Sequence, residues 1–224
     1  MTQMGEKFLD ADELLHLALA AVGGGRTEEG LITLKRALDI APNDARIHDV
    51  LGSLYAQIGM ADRAVKHLQH AIVFDPAMEG TRFKLGWIFF NAGQLETATE
   101  TWKAFDALGK EHPLYLFKTG LLHLAKNEYG ECEKLLRQGI TTNNMYTALN
   151  YDMARILEQV VNHMARLKQA AAETSATPTA AAPKPEGQPK ASVAKPETTP
   201  TTAKRAPAPN RRLDAYQDSE NKNE

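Results

Sequence analysis

Residues 45–78 read ARIHDVLGSLYAQIGMADRAVKHLQHAIVFDPAM, and this stretch decides the fold. It carries Leu51-Gly52, then Tyr55, Gly59, Ala64, Leu68, Ala71 and Pro76. Moving by 34 residues in either direction returns the same chemistry, so the small residue of the Leu-Gly pair becomes Ala18, Gly52, Gly86, Gly120 and Ala154. The large residue before it runs Leu17, Leu51, Leu85, Thr119 and Met153. A turn residue runs Gly25, Gly59, Gly93 and Asn127, and a second small residue runs Gly30, Ala64, Ala98 and Cys132. Such a fixed period marks a repeat architecture, in which each unit buries its apolar face only by stacking on its neighbours.

The period has a packing reason. Two helices of a unit must approach closely, and a Gly or Ala in the first leaves room for a large residue of the second: Leu34, Leu68, Trp102 and Leu136. Asp10 followed by Glu13 forms a capping-box pattern, Gly59 and Gly93 suit a left-handed turn, and Pro42, Pro76 and Pro113 fall at unit boundaries. Cys132 stands where other units have Gly or Ala and reads as a packing residue, not a reactive thiol.

On these residues the sequence resembles the tetratricopeptide-repeat (TPR) family, whose unit is a pair of antiparallel helices. The resemblance spans residues 11–170 and implies an all-α, right-handed solenoid of about four helix pairs. The units are 11–44, 45–78, 79–112 and 113–146, after a short N-terminal lead over 1–10 and before a long capping helix over 147–172. The fourth unit departs most from the pattern, with Thr119, His123 and Gly139 in place of the usual Leu, aromatic and Ala. No glycine interrupts the terminal helix, whose wet positions include Arg155, Glu158, Gln159, Arg166 and Lys168. A polar outer face of that kind closes a stack of repeats.

Beyond residue 172 the composition changes. Residues 171–224 hold 8 of the 11 prolines and a single aromatic, Tyr216, too little apolar surface to offset the entropy of ordering. Residues 173–224 therefore read as a disordered Pro/Ala/Thr/Lys-rich tail, with Arg211-Arg212-Leu213-Asp214-Ala215-Tyr216 as a docking motif or a plain solvated end. With 26 Lys+Arg against 28 Asp+Glu the net charge is −2, which provides no field for nucleic acid or an anionic membrane face. One cysteine forms no internal disulfide, no apolar run reaches membrane-spanning length, and Asp10, Asp12 and Glu13 interrupt any secretory leader. These features predict a cytoplasmic chain without membrane insertion.

No catalytic constellation emerges. Gly23-Gly24-Gly25 lies at a helix turn and precedes no Lys-Ser/Thr, and Ser53 lacks a nucleophile-elbow context. His67 and His70 lie three residues apart on an outward helix, without the HExxH or CxxC frame of a metal site, and read as solvated surface. His123 takes the slot of Tyr55 and Phe89, a core position. The reading is non-enzymatic, with no cofactor and no metal.

Binding is what repeats favour, because stacked helix pairs expose an extended inner surface. In the family resembled here, the first helix of each unit lines that groove. Its slots in units three and four hold Phe83, Lys84, Trp87 and Phe90, and Phe117, Lys118 and Leu121. These residues predict an aromatic peptide-binding groove with two positive points, unless the capping helix or Phe74 and Tyr115 fill it. Leu15, Leu19, Val50, Asp49 and Ser53 depart from the Lys/Asn/Arg clamp that grips C-terminal carboxylates in chaperone-type TPR proteins. A peptide with apolar anchors and some negative charge is expected, bound by an adaptor or, alternatively, by a chaperone for a secretion or assembly client; self-association through the aromatic face is a further alternative.

Overall fold

Local signals written into the chain set where each helix begins and ends. The computed structural model describes residues 9–175, with side chains through 172. The N-terminal lead ahead of Leu9 and the expected tail, including Arg211–Tyr216, lie outside the described residues. Four helix pairs follow one another: α1 (Ala11–Gly23) with α2 (Thr27–Ile40), α3 (Ala45–Gln57) with α4 (Ala61–Phe74), α5 (Glu79–Asn91) with α6 (Leu95–Trp102), and α7 (Pro113–Ala125) with α8 (Tyr129–Thr142). A 3-10 segment, Lys103–Leu108, extends α6, and α9 (Thr147–Ser175) ends the described chain. Among the described residues there is no strand.

At α1 the capping box closes: the Asp10 N–H donates to Glu13 Oε2 at 3.0 Å and the Glu13 N–H to Asp10 Oδ1 at 2.8 Å. Within each pair the chain reverses through a left-handed residue, at Gly25 (φ 77°), Gly59 (82°), Gly93 (76°) and Asn127 (62°). Only glycine, or an asparagine able to bond locally, enters that region cheaply. Pro113 occupies the start of α7, where its missing N–H costs nothing.

The small-to-large packing rule appears as distances. A methyl added at Gly52 would sit 2.6 Å from Leu68 Cγ, at Gly86 2.2 Å from Trp102 Nε1, and at Gly120 3.1 Å from Leu136 Cδ2. Cys132 is fully buried, and burial pushes its thiol up to about 11. One core region gathers Leu14, Leu34, Ile47, Leu51, Leu54 and Tyr55 from units one and two. The other gathers Phe83, Trp102, Phe105, Phe117, Leu121 and Leu136 with Met153, Ile156 and Val160 of α9. The second region therefore includes the buried stripe of the terminal helix, whose Arg155, Glu158, Gln159, Arg166 and Lys168 lie off that stripe.

Candidate functional site

The first helices of units one to three line a trough. One hollow, of about 310 Å³, is walled by Leu19 and Val22 of α1, by Val50, Ser53, Leu54 and Gln57 of α3, and by Lys84 of α5. A second, of about 390 Å³, lies beside the start of α5 and is closed by Met145 and Tyr146 of the α8–α9 turn and by Thr147, Ala148 and Leu149 of the first turn of α9. Asp49 and Lys84 line both hollows, so the two meet at that pair.

Asp49 and Lys84 lie one unit apart, and the first helices bring them together. Lys84 Nζ donates to both Asp49 carboxylate oxygens at 2.8 Å and to Ser53 Oγ at 3.0 Å. Thr81 Oγ1 donates to Asp49 Oδ1 at 2.7 Å. An ammonium has three protons, and all three are taken within the chain. The hollows on either side are lined with apolar groups, of which Leu19 and Met145 are 46% and 70% exposed.

The far wall is built by an asparagine. Asn143, buried, accepts the Tyr146 N–H at 2.9 Å and donates through Nδ2 to the Tyr146 carbonyl and to Asn150 Oδ1, both at 2.8 Å. This folds the α8–α9 turn so that Tyr146 Oη donates to Glu79 Oε2 at 2.7 Å, with the ring over Gly80. Burial, then the bond to Glu79, raises the Tyr146 phenol to about 12.

The aromatic groove expected from units three and four is not what the fold builds. Phe83, Phe117 and Leu121 have no exposed surface and belong to the core. Lys118 is 6% exposed, and its Nζ reaches Asp106 Oδ1 at 2.6 Å and the Trp102 carbonyl at 3.4 Å. Trp87 and Phe90 are half-buried, stacked at 5.7 Å between centroids, with Phe90 also 6.0 Å from Trp102. Of the seven residues singled out, only Lys84 lines the trough. The physical reason is the packing of each first helix against its neighbours: Phe83 stacks on Trp102 and Phe105 and meets Phe117 edge-on, and Phe117 lies against Gly139 of α8, so α6, the 3-10 segment and α8 bury the rings. The residues missed, Leu19, Val22, Asp49, Val50 and Ser53, stand in the same slots of units one and two. Their signal in the sequence is the slot itself, shared with the larger aromatics of units three and four.

His67 is likewise half-buried instead of solvated. His48 Nε2–H donates to the Pro42 carbonyl at 3.0 Å, which leaves Nδ1 of the neutral ring as acceptor for His67 Nδ1–H at 3.0 Å. Tyr55 stacks on His67 at 5.4 Å, and His70 meets His48 edge-on at 5.1 Å. Burial, reinforced by His48, His70, Lys66 and Arg63, holds His67 down at about 4, and burial also lowers His48. His123 is half-buried and bonds the Glu128 carboxylate. Among the described residues no group of three His, Cys, Asp or Glu is placed to hold a metal, and no helix is long and apolar enough to cross a membrane.

Comparison with solved structures places this architecture. A thermophilic TPR protein of Thermus thermophilus, TTC0263, superposes with a TM-score of 0.58 at 19% identity, over 74% of this chain and 88% of that one. A tetratricopeptide repeat protein from Parabacteroides merdae gives 0.58 at 17% identity, over 79% and 70%. MamA gives 0.50 at 21% identity, over 58% and 77%. No family model matches the chain. In sequence it is similar to the BBSome complex member BBS4 of Bos taurus, 23% identical over 105 residues; the match takes 47% of this chain and 20% of that protein's length. The chain has a tetratricopeptide-repeat fold.

Proposed function

We propose that this chain is a non-catalytic adaptor that holds an extended segment of a partner protein in the trough between α1, α3, α5 and the α8–α9 turn. The observation that carries the reading is the pair of apolar-walled hollows meeting at Asp49 and Lys84. Concave sites with apolar walls and a few convergent polar groups are where proteins take ligands. Leu19, Val22, Val50, Met145 and Leu149 offer the contact surface, and Lys84 with Asp49 forms the polar floor. Trp87 and Phe90, half-buried at the neighbouring edge, contribute at most a rim.

A photo-crosslinking amino acid placed at Val50 or Met145 of the full chain, with the exposed Lys35 of α2 as control, tests this. Adducts are expected from the first two positions, and Val50→Arg should remove the Met145 adducts while circular dichroism remains helical. Equal adduct patterns from all three positions would overturn the trough. Deletion of the gene separates an adaptor from a chaperone: a chaperone's client falls in steady-state level, whereas an adaptor's partner persists.

A further inference from the structure

We infer, resting on the trough reading above, that the occupant is an internal, uncharged or basic segment carrying two apolar side chains, one for each hollow, and not an acidic peptide or a free C-terminus. The inference comes from counting charges and protons at the floor. The smaller hollow is lined by one anion and one cation, Asp49 and Lys84. The larger adds Glu79, so its walls carry two carboxylates against one ammonium. Lys84 spends its three protons on Asp49 and Ser53, and Glu79 is engaged by Tyr146.

A carboxylate entering here would have to draw Lys84 from Asp49, leaving that anion partly buried with only Thr81 to satisfy it. Desolvating an acidic ligand beside Asp49 and Glu79 adds like-charge repulsion. An uncharged segment incurs neither cost. It places one apolar side chain among Leu19, Val22, Val50 and Leu54, and another among Met78, Met145, Ala148 and Leu149. Between these anchors its backbone passes over the floor, and the Gln57 carboxamide on the wall of the smaller hollow offers both a donor and an acceptor to a peptide group lying there. A basic side chain is tolerated next to Glu79. The negative charge expected of the partner from Lys84 and Lys118 is thereby withdrawn, since Lys118 is buried against Asp106 and Lys84 is neutralised by Asp49.

Selection of random twelve-residue peptides, displayed with and without a free C-terminus, on the full-length chain tests the inference, with Val50→Arg as counter-selection. Peptides lost on Val50→Arg should share paired Leu, Ile, Met or Phe, carry zero or positive net charge, and be indifferent to a free carboxylate. For the uncharged peptides among them, affinity should change by less than about twofold between low and high salt, because no exposed ion pair with the trough is there to be screened. Trough-dependent peptides rich in Asp and Glu, or requiring a terminal carboxylate, would overturn the charge assignment while leaving the trough standing. Recovery of no peptide sensitive to Val50→Arg would overturn the trough itself, and the inference with it.

Discussion

Gly86→Ala tests the packing logic of the whole stack. The added methyl would lie 2.2 Å from Trp102 Nε1, 2.5 Å from Cε2 and 2.6 Å from Cδ1. The indole is fully buried, stacked on Phe83 at 5.4 Å, and its N–H donates to the Phe83 carbonyl at 3.1 Å. It has no free end to swing aside, so relief requires the helices to separate or the indole to give up its bond. Overpacking of this kind costs about 1–3 kcal/mol, and leaving a buried N–H unsatisfied adds about 1–3. Against this, alanine in a helix interior gains about 1 kcal/mol over glycine. The net expectation is a loss of roughly 1–5 kcal/mol. Gly120→Ala is the internal control, because its methyl would meet only the branched end of Leu136 at 3.1 Å and 3.3 Å and the Leu135 Cβ at 3.4 Å. There the helix gain and the crowding nearly cancel, within about 1 kcal/mol. Urea denaturation followed by circular dichroism measures both. If Gly86→Ala is as stable as the parent chain, or Gly120→Ala is the worse of the two, the small-against-large account of the repeat is wrong.

Acid should loosen unit two. His67 is held at about 4 by burial, against an ordinary 6.5, so the unfolded chain takes up the proton first. Stability is full above pH 6.5 and is lost as pH falls toward 4, by about 1–2 kcal/mol once the half-exposed setting is discounted; His48 acts in the same direction, with Asp44, Arg63, Lys66 and His70 as the charged surroundings of the pair. In a pH series of urea midpoints, His67→Gln should flatten that slope, and an unchanged slope would remove the imidazole pair as its cause. Cys132, buried and raised to about 11, should resist a thiol reagent at about pH 8 until denaturant is added, and stoichiometric labelling of native protein would contradict its burial. Asp106→Ala leaves the Lys118 ammonium with the Trp102 carbonyl at 3.4 Å and the face of Tyr115 at 5.3 Å but no counter-charge, at a cost of about 1–3 kcal/mol, which the double change with Lys118→Met should largely restore in the same denaturation assay.

What the sequence by itself determined is everything governed by local and nearest-neighbour chemistry. Gly25, Gly59, Gly93 and Asn127 announce the left-handed turns, since few residues tolerate that backbone. Asp10 with Glu13 announces the first helix. Gly52, Gly86 and Gly120 announce the close approach of Leu68, Trp102 and Leu136, because in a solenoid each contact is repeated at the same spacing. Tertiary structure alone decided which slot residues face open space. Phe83 occupies the same slot as Asp49, and Leu121 the same slot as Leu19 and Ser53, and no local property distinguishes an apolar side chain awaiting a ligand from one awaiting the next helix. That answer depends on what the following helices bring against each slot: Trp102, Phe105 and Gly139 close over Phe83 and Phe117, while the Asn143 turn brings Tyr146 to Glu79. The neutralisation of Lys84 is equally non-local: its charge reads as free along the chain and is spent only when the preceding unit delivers Asp49 and Ser53 to its ammonium.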